Sequence, residues 1–318
     1  MLKFLLTILY KYNKFKHGEY PLSILYYHHV FAKKSPYHLD DLDAQQFDQQ
    51  ISFLTKHFNI LPLEQAIYLL KQKKLPPKAL VISFDDGYQD NYTIAASILE
   101  KHKCPATFFI ATEGVEKGYL WNDVIEQSLK KTNIKSISKD IIGKSISLIT
   151  EADKISAFHQ LVNSFKFTCN EERSNKVLKL TKELNVNTFT QSIMNAKQIL
   201  DLHLRGFTIG AHTHSHTIMC TETDQNSQRE LFTNKQMLEK IIAEPVTFLA
   251  FPNGLYGRDF KKAHCDMANT LGFKAAFSTN DGGVLSSTNL HQIPRFMPYR
   301  KQLHLFALSI AKIAGEHV

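Results

Sequence analysis

Cysteine is scarce in this chain of 318 residues, which contains only four. They lie far apart, at Cys104, Cys169, Cys220 and Cys265, and no C-x-x-C pair occurs. This spacing favours neither a zinc ribbon nor a disulfide scaffold, the two structures that paired cysteines typically build. Free thiols are typical of a reducing compartment, so we predict a cytoplasmic location.

The apolar stretch near the N-terminus, Phe4 to Tyr10, is far too short for a bilayer span, which takes about 20 residues. No small-residue cleavage site follows it, which argues against a signal peptide. The stretch is flanked by four lysines, namely Lys3, Lys11, Lys14 and Lys16. Two interpretations of residues 1–20 stay open: a helix in peripheral contact with an anionic membrane, or a helix packed on the domain.

Nucleic-acid modules and internal repeats are missing as well. The net charge of +8 favours anionic partners, but no basic repeat interleaved with aromatic residues accompanies it. We therefore predict no nucleic-acid partner. The hydrophobic content of 43% and the charged content of 21% are ordinary for a globular protein with a sizeable core. Composition leaves the oligomeric state open.

What the sequence does contain is an alternation of apolar strands and helices. A strand at 79–82 is followed by a helix at 92–102 and a strand at 105–111, an order typical of parallel strands joined by crossover helices. The other predicted strands are 22–27, 59–63, 207–211, 246–251, 273–278 and 292–297. Seven or eight such strands predict the α/β class and an incomplete (β/α) barrel, which binds ligands at the carboxyl ends of its strands.

Residues from about 121 to 190 interrupt this alternation with polar, lysine-rich helices. We predict that they form a helical insertion within one domain that covers residues 21–318. The insertion is a candidate lid or partner surface, and the alternative is a decoration that merely covers the barrel.

Two adjacent carboxylates, Asp85 and Asp86, stand at the end of the strand at 79–82. Holding both charges together is costly unless a metal ion or an arginine neutralises them. Later in the chain, His212 and His216 stand at i, i+4, so a helical turn would put both imidazoles on one side. One carboxylate and two histidines are a common ligand set for a catalytic divalent metal, and the second carboxylate is then free to act as a general base.

These residues belong to two recognisable motifs. Ser-Phe-Asp-Asp-Gly at 83–87, followed by His-Thr-x-x-His at 212–216, resembles the first two motifs of the polysaccharide deacetylase family, the NodB-homology group or carbohydrate esterase family 4. The resemblance implies that family's distorted, incomplete barrel. It implies that Asp85 is the general base and that the metal ligands are Asp86, His212 and His216. The implied cofactor is a divalent metal, for which Zn²⁺ is the family's usual choice.

Two further catalytic residues are predicted. A cation must keep Asp85 ionised, and Arg295 is the candidate, with a surface arginine as the alternative. The acid that protonates the leaving amine is predicted at His28, because Leu-Tyr-Tyr-His-His-Val at 25–30 resembles the family subgroup in which the motif order is rotated. His29 is the second choice, and His291 lies in a poor copy of the Leu-x-Leu-x-His motif of other members.

The substrate groove is predicted from two places in the chain. Pro252-Asn253-Gly254 resembles the family's third motif, which lines the groove and supplies a backbone amide to the oxyanion. Asn253 stands where that motif usually has an aromatic residue. Trp121, the sole tryptophan, is a candidate for stacking on a sugar ring, and core packing is the alternative.

The residues and the resemblance together predict a metal-dependent enzyme. It would remove the N-acetyl group from an amino sugar in a polysaccharide or glycolipid and release acetate. One alternative is an amidase or O-esterase with another acyl substrate. The other is a non-catalytic carbohydrate-binding protein on the same fold, against which the intact carboxylate and histidine pairs argue.

Overall fold

The computed structural model describes residues 2–297 and 302–316. All predicted site residues lie within these ranges. In chain order the strands are β1 (Ser23–Tyr27), β2 (Val30–Phe31), β3 (Leu42–Asp43), β4 (Asn59–Ile60), β5 (Ala79–Phe84), β6 (Thr107–Ile110), β7 (Ser136–Ile137), β8 (Ile146–Ser147), β9 (Thr208–Ala211), β10 (Phe248–Ala250) and β11 (Ala275–Phe277).

The helices connect these strands and cover the sheet. They are α1 (Leu2–His17), α2 (Ala44–His57), α3 (Leu63–Lys71), α4 (Ala96–Lys101), α5 (Thr112–Lys117), α6 (Trp121–Lys131), α7 (Lys139–Ile142), α8 (Glu151–Phe165), α9 (Asn170–Glu183), α10 (Ala196–Leu204), α11 (Asp224–Ile242), α12 (Lys262–Thr270) and α13 (Leu303–Ala314). A π-helical segment at Asn91–Ala95 leads into α4.

The main sheet has seven strands in the order β1-β5-β6-β9-β10-β11, with β4 paired to the beginning of β5, and all of these pairs are parallel. The sheet curls so that one further segment of the chain pairs with both of its edge strands. Ile293 forms a parallel bridge to Phe277 of β11, and Phe296 forms one to Leu25 of β1. The predicted incomplete (β/α) barrel is confirmed. The predicted strand at 292–297 is reduced to these two bridges, since Pro294 has no N–H to donate.

Alternate residues of the strands pack into two different cores. Ile24 and Val81 belong to one hydrophobic cluster, whereas Leu25 and Ile82 belong to another. Successive side chains of a strand point to opposite faces, so both faces of the sheet are covered. This burial on both sides explains why the central strands are nearly continuous apolar runs in the sequence.

The segment at 121–190 contains α6 to α9 and the antiparallel pair of β7 and β8. Its hydrophobic cluster includes Ile125, Phe158 and Leu180, and among the described residues it draws only Tyr37 from outside the segment. We propose on this basis that it is an insertion in a domain of residues 21–318, of which 298–301 and 317–318 lie outside the described residues.

The N-terminal helix α1 packs along α13. Leu6, Tyr10 and Asn13 form its buried face, and the Asn13 amide donates to the Ala311 carbonyl at 3.3 Å. Over the ranges described, none of the helices combines the length and apolarity that a membrane crossing requires.

Candidate active site at the carboxyl edge of the sheet

The two adjacent carboxylates lie where β5 ends. The Asp85 N–H donates to the Tyr27 carbonyl at 2.9 Å, which extends the pairing of β1 and β5. Asp86 then turns the backbone with a left-handed φ of +74°, and Gly87 follows with a φ of +88°. A Cβ at Gly87 would lie 3.0 Å from the Ile110 side chain, so the turn has little room for any other residue. Because the backbone turns here, the two carboxylates have different partners.

Asp85 is held by Arg295 in a bidentate ion pair. The two carboxylate oxygens accept from Nη1 at 2.7 Å and from Nη2 at 2.8 Å, and Nη1 also donates to Ser83 at 3.1 Å. Burial would raise the pKa of the Asp85 carboxyl, but the charges of Arg295 and His212 outweigh it and lower this pKa below its ordinary value. Arg295 is fully buried, so the alternative of a surface arginine is wrong.

Aromatic rings fix the guanidinium of Arg295 in place. It lies 4.9 Å from the ring centroid of Tyr26 and 5.2 Å from that of Phe109. The Phe109 ring occupies space that a side chain at residue 210 would need, because a Cβ at Gly210 would lie 2.4 Å from it. Cation–π contact and packing therefore orient Arg295 toward Asp85.

Asp86 meets the two predicted histidines. Its Oδ1 atom lies 3.2 Å from Nε2 of His212 and 3.0 Å from Nε2 of His216. These three side chains are the group of described residues that could hold a metal ion, with one ligand atom each within 4.8 Å of one another. Burial would raise the pKa of the Asp86 carboxyl, but the neighbouring imidazoles of His216 and His212 keep it well below its ordinary value.

The hydrogen bonds around this cluster fit a cation. His212 Nδ1 lies 2.7 Å from the Ala250 carbonyl, so in the neutral imidazole Nδ1 carries the proton and the Nε2 lone pair faces Asp86. Asp86 Oδ1 is buried and accepts no hydrogen bond from the residues described. A buried carboxylate oxygen facing a nitrogen lone pair at 3.2 Å is unfavourable, so either a proton on Nε2 or a metal ion must lie between the two atoms. The residues present therefore fit a divalent metal, of the type that nitrogen and oxygen ligands bind.

The loop that carries the histidines is not a helical turn, although such a turn would also bring residues at i and i+4 to one side. Thr213 and His216 have φ values of +60° and +52°, which an α-helix excludes. Both imidazoles still reach Asp86, because hydrogen bonds from other elements shape the loop.

One of these contacts comes from α11, where Asn234 is fully buried. Its Oδ1 accepts from the His212 N–H at 3.1 Å, and its amide donates to the Thr213 carbonyl at 2.6 Å. Another contact is Glu230, which accepts from the N–H and hydroxyl of Ser215 at 2.7 and 2.8 Å. The sequence did carry a signal for Asn234, a polar residue within the apolar stripe of an amphipathic helix.

The third contact comes from the insertion. Arg173 of α9 is buried and donates to the Ser215 carbonyl at 2.9 Å and to the His216 carbonyl at 3.5 Å. The insertion therefore contacts the loop that holds two of the three candidate ligands. No motif marked Arg173, because its partners are backbone carbonyls about forty residues later in the chain.

The three histidines considered for the acid have different surroundings. His28 lies near enough to the carboxylates that its charge lowers the pKa of both Asp85 and Asp86. His29 is bound to Asp90, with Nδ1 2.6 Å from Oδ2. Burial lowers the pKa of His29, but Asp90 outweighs this and raises it to about 9, so His29 is a weak acid at neutral pH.

His291 is remote from the carboxylates. Its Nε2 lies 2.9 Å from the carbonyl of Phe273, which precedes β11 and so marks the amino end of that strand. Asp85 and Asp86 lie at the opposite, carboxyl edge of the parallel sheet. Of the three histidines, His28 is thus the one that lies beside the carboxylates and forms no ion pair with another side chain within residues 2–297 and 302–316.

A cavity of about 610 Å³ opens beside Asp86. Side chains of the insertion form one wall, and the lining includes His28, Tyr88, Asn122, Phe158 and His159. Trp121 is not in this lining. It borders a separate cavity of about 280 Å³ and lies 5.1 Å from the Arg173 guanidinium. This position agrees with the alternative that Trp121 packs against other side chains and does not stack on a sugar ring.

The Pro252-Asn253-Gly254 turn follows β10 at the same edge of the sheet as His212. Asn253 and Gly254 both have left-handed φ values, of +56° and +70°. The Gly254 N–H donates to the Pro252 carbonyl at 2.6 Å, so it is already used within the turn. A Cβ at Gly254 would lie 2.8 Å from the Phe251 carbonyl oxygen, which explains the glycine.

A curled parallel sheet of this type also occurs in solved structures of other proteins. A deacetylase of Streptococcus pyogenes, PplD in complex with acetate, superposes with a TM-score of 0.63 at 17% identity, covering 92% of this chain and 99% of that chain. IcaB from Ammonifex degensii gives 0.58 at 16% identity, covering 92% and 97%. These likenesses confirm the class of fold.

Residues 72–142 and 167–276, more than half of the chain, match the family model described as polysaccharide deacetylase. The chain belongs to the polysaccharide deacetylase family, so the predicted family and its hydrolase class are confirmed.

Two relatives indicate how far the similarity extends. A polysaccharide deacetylase homologue of Bacillus subtilis, YxkH, is 21% identical over 86% of this chain and 70% of its own length. The poly-beta-1,6-N-acetyl-D-glucosamine N-deacetylase of Staphylococcus aureus is 35% identical, but only over 30% of this chain and 33% of that enzyme.

Proposed function

We propose that this chain is a metal-dependent N-deacetylase that hydrolyses the N-acetyl group of an amino sugar in a polysaccharide or glycolipid. Membership of the polysaccharide deacetylase family supports the reaction class. The name of the Staphylococcus aureus relative, which specifies N-acetyl-D-glucosamine, supports an N-acetylated hexosamine as the substrate unit. The glycan's length and carrier are left to experiment.

The observation that carries the proposal is the separation of the two carboxylates. Asp86 lies with two imidazoles, and Asp85 lies with a guanidinium at 2.7 and 2.8 Å. One acid is thereby available as a ligand, and the other is kept ionised for proton transfer. Enzymes assign different roles to neighbouring acids through such differences in surroundings.

We assign the ligand positions to Asp86, His212 and His216, and the ion to Zn²⁺, which takes nitrogen and oxygen ligands in open catalytic sites. When bound, it supplies Lewis acidity that polarises the amide carbonyl of the substrate. The hydrogen bond from His212 to the Ala250 carbonyl places the proton of the neutral imidazole on Nδ1, which leaves Nε2 as the ligating nitrogen.

The protein's own residues then transfer the protons. Asp85 takes one proton from the water that attacks the acetyl carbon, and Arg295 keeps Asp85 ionised beforehand. His28 gives a proton to the nitrogen as the carbon–nitrogen bond breaks. One water is consumed, and acetate and a free amine are released.

The oxyanion needs a hydrogen-bond donor, for which we propose the turn at residues 252–254. Proline has no N–H, and the Gly254 N–H is bonded within the turn. The Asn253 N–H is therefore the remaining donor of the tripeptide. A backbone donor preset in this way stabilises charge as it develops.

The proposal is tested by acetate release. The metal-loaded chain is incubated with free and lipid-linked N-acetylated glycans, before and after chelation and zinc add-back. We expect release that chelation abolishes and zinc restores. Asp85→Asn should lower turnover at least about a thousandfold, while Asp140→Asn, at an exposed position of the insertion, should not.

Three outcomes would contradict this account. Retained turnover in Asp85→Asn would refute the base assignment, and release of an acyl group other than acetate would indicate an amidase or esterase. Glycan binding without any acetate release would indicate a carbohydrate-binding protein. The cytoplasmic location stays a prediction that rests on four free cysteines.

A further inference from the structure

The N-terminal helix α1 has one face fixed on the domain. Leu6, Tyr10 and Asn13 are buried against the neighbouring elements, and the Lys16 ammonium donates to the Gly315 carbonyl at 3.1 Å. The Asn13 amide adds a bond to the Ala311 carbonyl at the end of α13. Because these contacts fix the rotation of α1 about its axis, they also determine which side chains point away from the protein.

The side chains that point away are apolar and large. Phe4, Ile8, Tyr12 and Phe15 are 72%, 46%, 61% and 88% exposed. Their spacing of four, four and three residues places them in one stripe along the helix. Five of the fifteen large hydrophobic side chains that are exposed within residues 2–297 and 302–316 lie on α1, with Leu5 as the fifth. Exposed apolar side chains gathered in this way mark a contact surface.

The charge around this stripe is of one sign. Residues 2–17 include Lys3, Lys11, Lys14 and Lys16, all exposed, and no acidic residue. On an α-helix, Lys11 borders the stripe beside Phe4 and Phe15, and Lys16 borders it on the other side, next to Leu5 and Tyr12. The apolar stripe is therefore flanked by positive charge along both edges.

The basic region continues onto the adjoining part of the domain. Burial lowers the pKa of His57, and the positive charges of Lys78, Lys3 and Lys56 lower it further. The pKa of Lys78 is also lowered, by burial and by Lys3. Lysines from α1, α2 and the approach to β5 are thus close enough to repel one another, which an anionic surface would relieve.

We propose that α1 is a membrane-contact helix that lies flat on an anionic lipid bilayer. The apolar stripe enters the boundary between headgroups and acyl chains, and the flanking lysines contact anionic headgroups, with their stems along the boundary. A lipid surface fits better than a protein groove, because cations border the stripe on both sides and anionic headgroups surround an inserted helix on all sides. The contact is independent of the proposed deacetylase activity.

Vesicle binding of the full chain tests this proposal. The chain is sedimented with one of two kinds of vesicle. The first contains phosphatidylcholine alone, and the second contains phosphatidylcholine with about 30% phosphatidylglycerol, which makes its surface anionic. We expect at least about tenfold stronger binding to the anionic vesicles, weakened by added salt. Phe4→Ser with Phe15→Ser should lower this binding about tenfold or more, and so should Lys11→Glu with Lys14→Glu.

Matched controls separate the helix from general surface effects. Tyr68→Ser and Phe232→Ser remove aromatic side chains that are 61% and 46% exposed elsewhere, and Lys73→Glu with Lys74→Glu reverses two exposed charges. These variants should bind vesicles like the unchanged chain, apart from the small general effect of net charge. Circular dichroism melts and acetate release should show that the α1 variants remain folded.

Several results would overturn the proposal. One is equal or absent binding of the unchanged chain to both kinds of vesicle. Another is an equal loss in the control variants. A third is a dimer in sedimentation velocity that Phe4→Ser with Phe15→Ser dissociates, which would make a second copy of the chain the occupant of this face.

Discussion

At the scale of single residues, Asp85 and Asp86 differ through their surroundings and not through their chemistry. Both are buried aspartates at the end of one strand. Arg295 engages both oxygens of Asp85, whereas one oxygen of Asp86 faces two imidazole nitrogens. Two adjacent carboxylates can remain ionised in a buried position only because each has its own positive or metal-binding partner.

Arg295→Met tests the partner of Asp85. Without the guanidinium, the pKa of the buried Asp85 carboxyl should rise, because burial alone disfavours its charge. A protonated carboxyl cannot act as a base, so the acid limb of the pH profile of kcat/KM should move to higher pH. The free energy of unfolding at pH 7 should fall by ~3–5 kcal/mol, since a buried charge loses its partner.

The pH–rate profile and urea denaturation measure the two effects. Arg229→Met, which removes an exposed arginine from α11, should change neither. An acid limb that stays in place in Arg295→Met would show that Arg295 does not control the ionisation of Asp85.

The residues of the candidate site were predictable to different degrees. Asp85, Asp86 and His212 stand in short local motifs, so residue type and spacing were sufficient to find them. Trp121 was not predictable in the same way, because its neighbour Arg173 lies on a different helix of the insertion. The choice between His28 and His29 needed the ion pair of His29 with Asp90, which is 61 residues away.

At the scale of elements, the helical insertion contacts the active-site loop. Arg173 of α9 donates to two carbonyls of the loop that carries His216, while Asn234 and Glu230 hold the same loop from α11. Partners of this kind, which orient a ligand without binding the metal, typically affect metal affinity strongly. The interpretation of the insertion as a mere cover does not explain these contacts.

Arg173→Met should lower the affinity for zinc about 10- to 100-fold, because the loop loses two of its hydrogen bonds. Arg173→Lys keeps the charge but not the planar arrangement of donors, so it should restore the affinity only in part. Equilibrium dialysis with zinc measures the affinity, and thermal unfolding of the metal-free chain measures stability. A lower melting temperature with unchanged zinc affinity would leave Arg173 a structural residue only.

Sequence patterns predicted the elements better than their local geometry. The apolar runs gave β1, β5, β6 and β9 because strands buried on both faces have few polar residues. The i, i+4 spacing of His212 and His216 suits a helical turn, but the φ values of the loop at Thr213 and His216 are left-handed. Long-range bonds to Arg173 and Asn234 determine that geometry, and no local pattern contains them.

At the scale of the whole molecule, closure of the sheet brings the two ends of the chain to one site. The segment from Ile293 to Phe296 bridges β11 and β1 and carries Arg295 to Asp85, 210 residues away in sequence. The strand alternation predicted a barrel and Arg295 was the candidate partner of Asp85, and the closed sheet shows how this arginine reaches that carboxylate. In the same structure α1 lies beside α13, and the apolar stripe of α1 is exposed.

The metal content of the purified chain tests the central claim most directly. Elemental analysis after zinc loading and dialysis should find one zinc ion per chain in the unchanged protein and in Asp85→Asn, whose carboxylate is not a ligand. Asp86→Asn and His216→Ala should retain little or none, since each removes one of three ligands. Zinc retained equally in Asp86→Asn, or absent from the unchanged chain, would contradict the account.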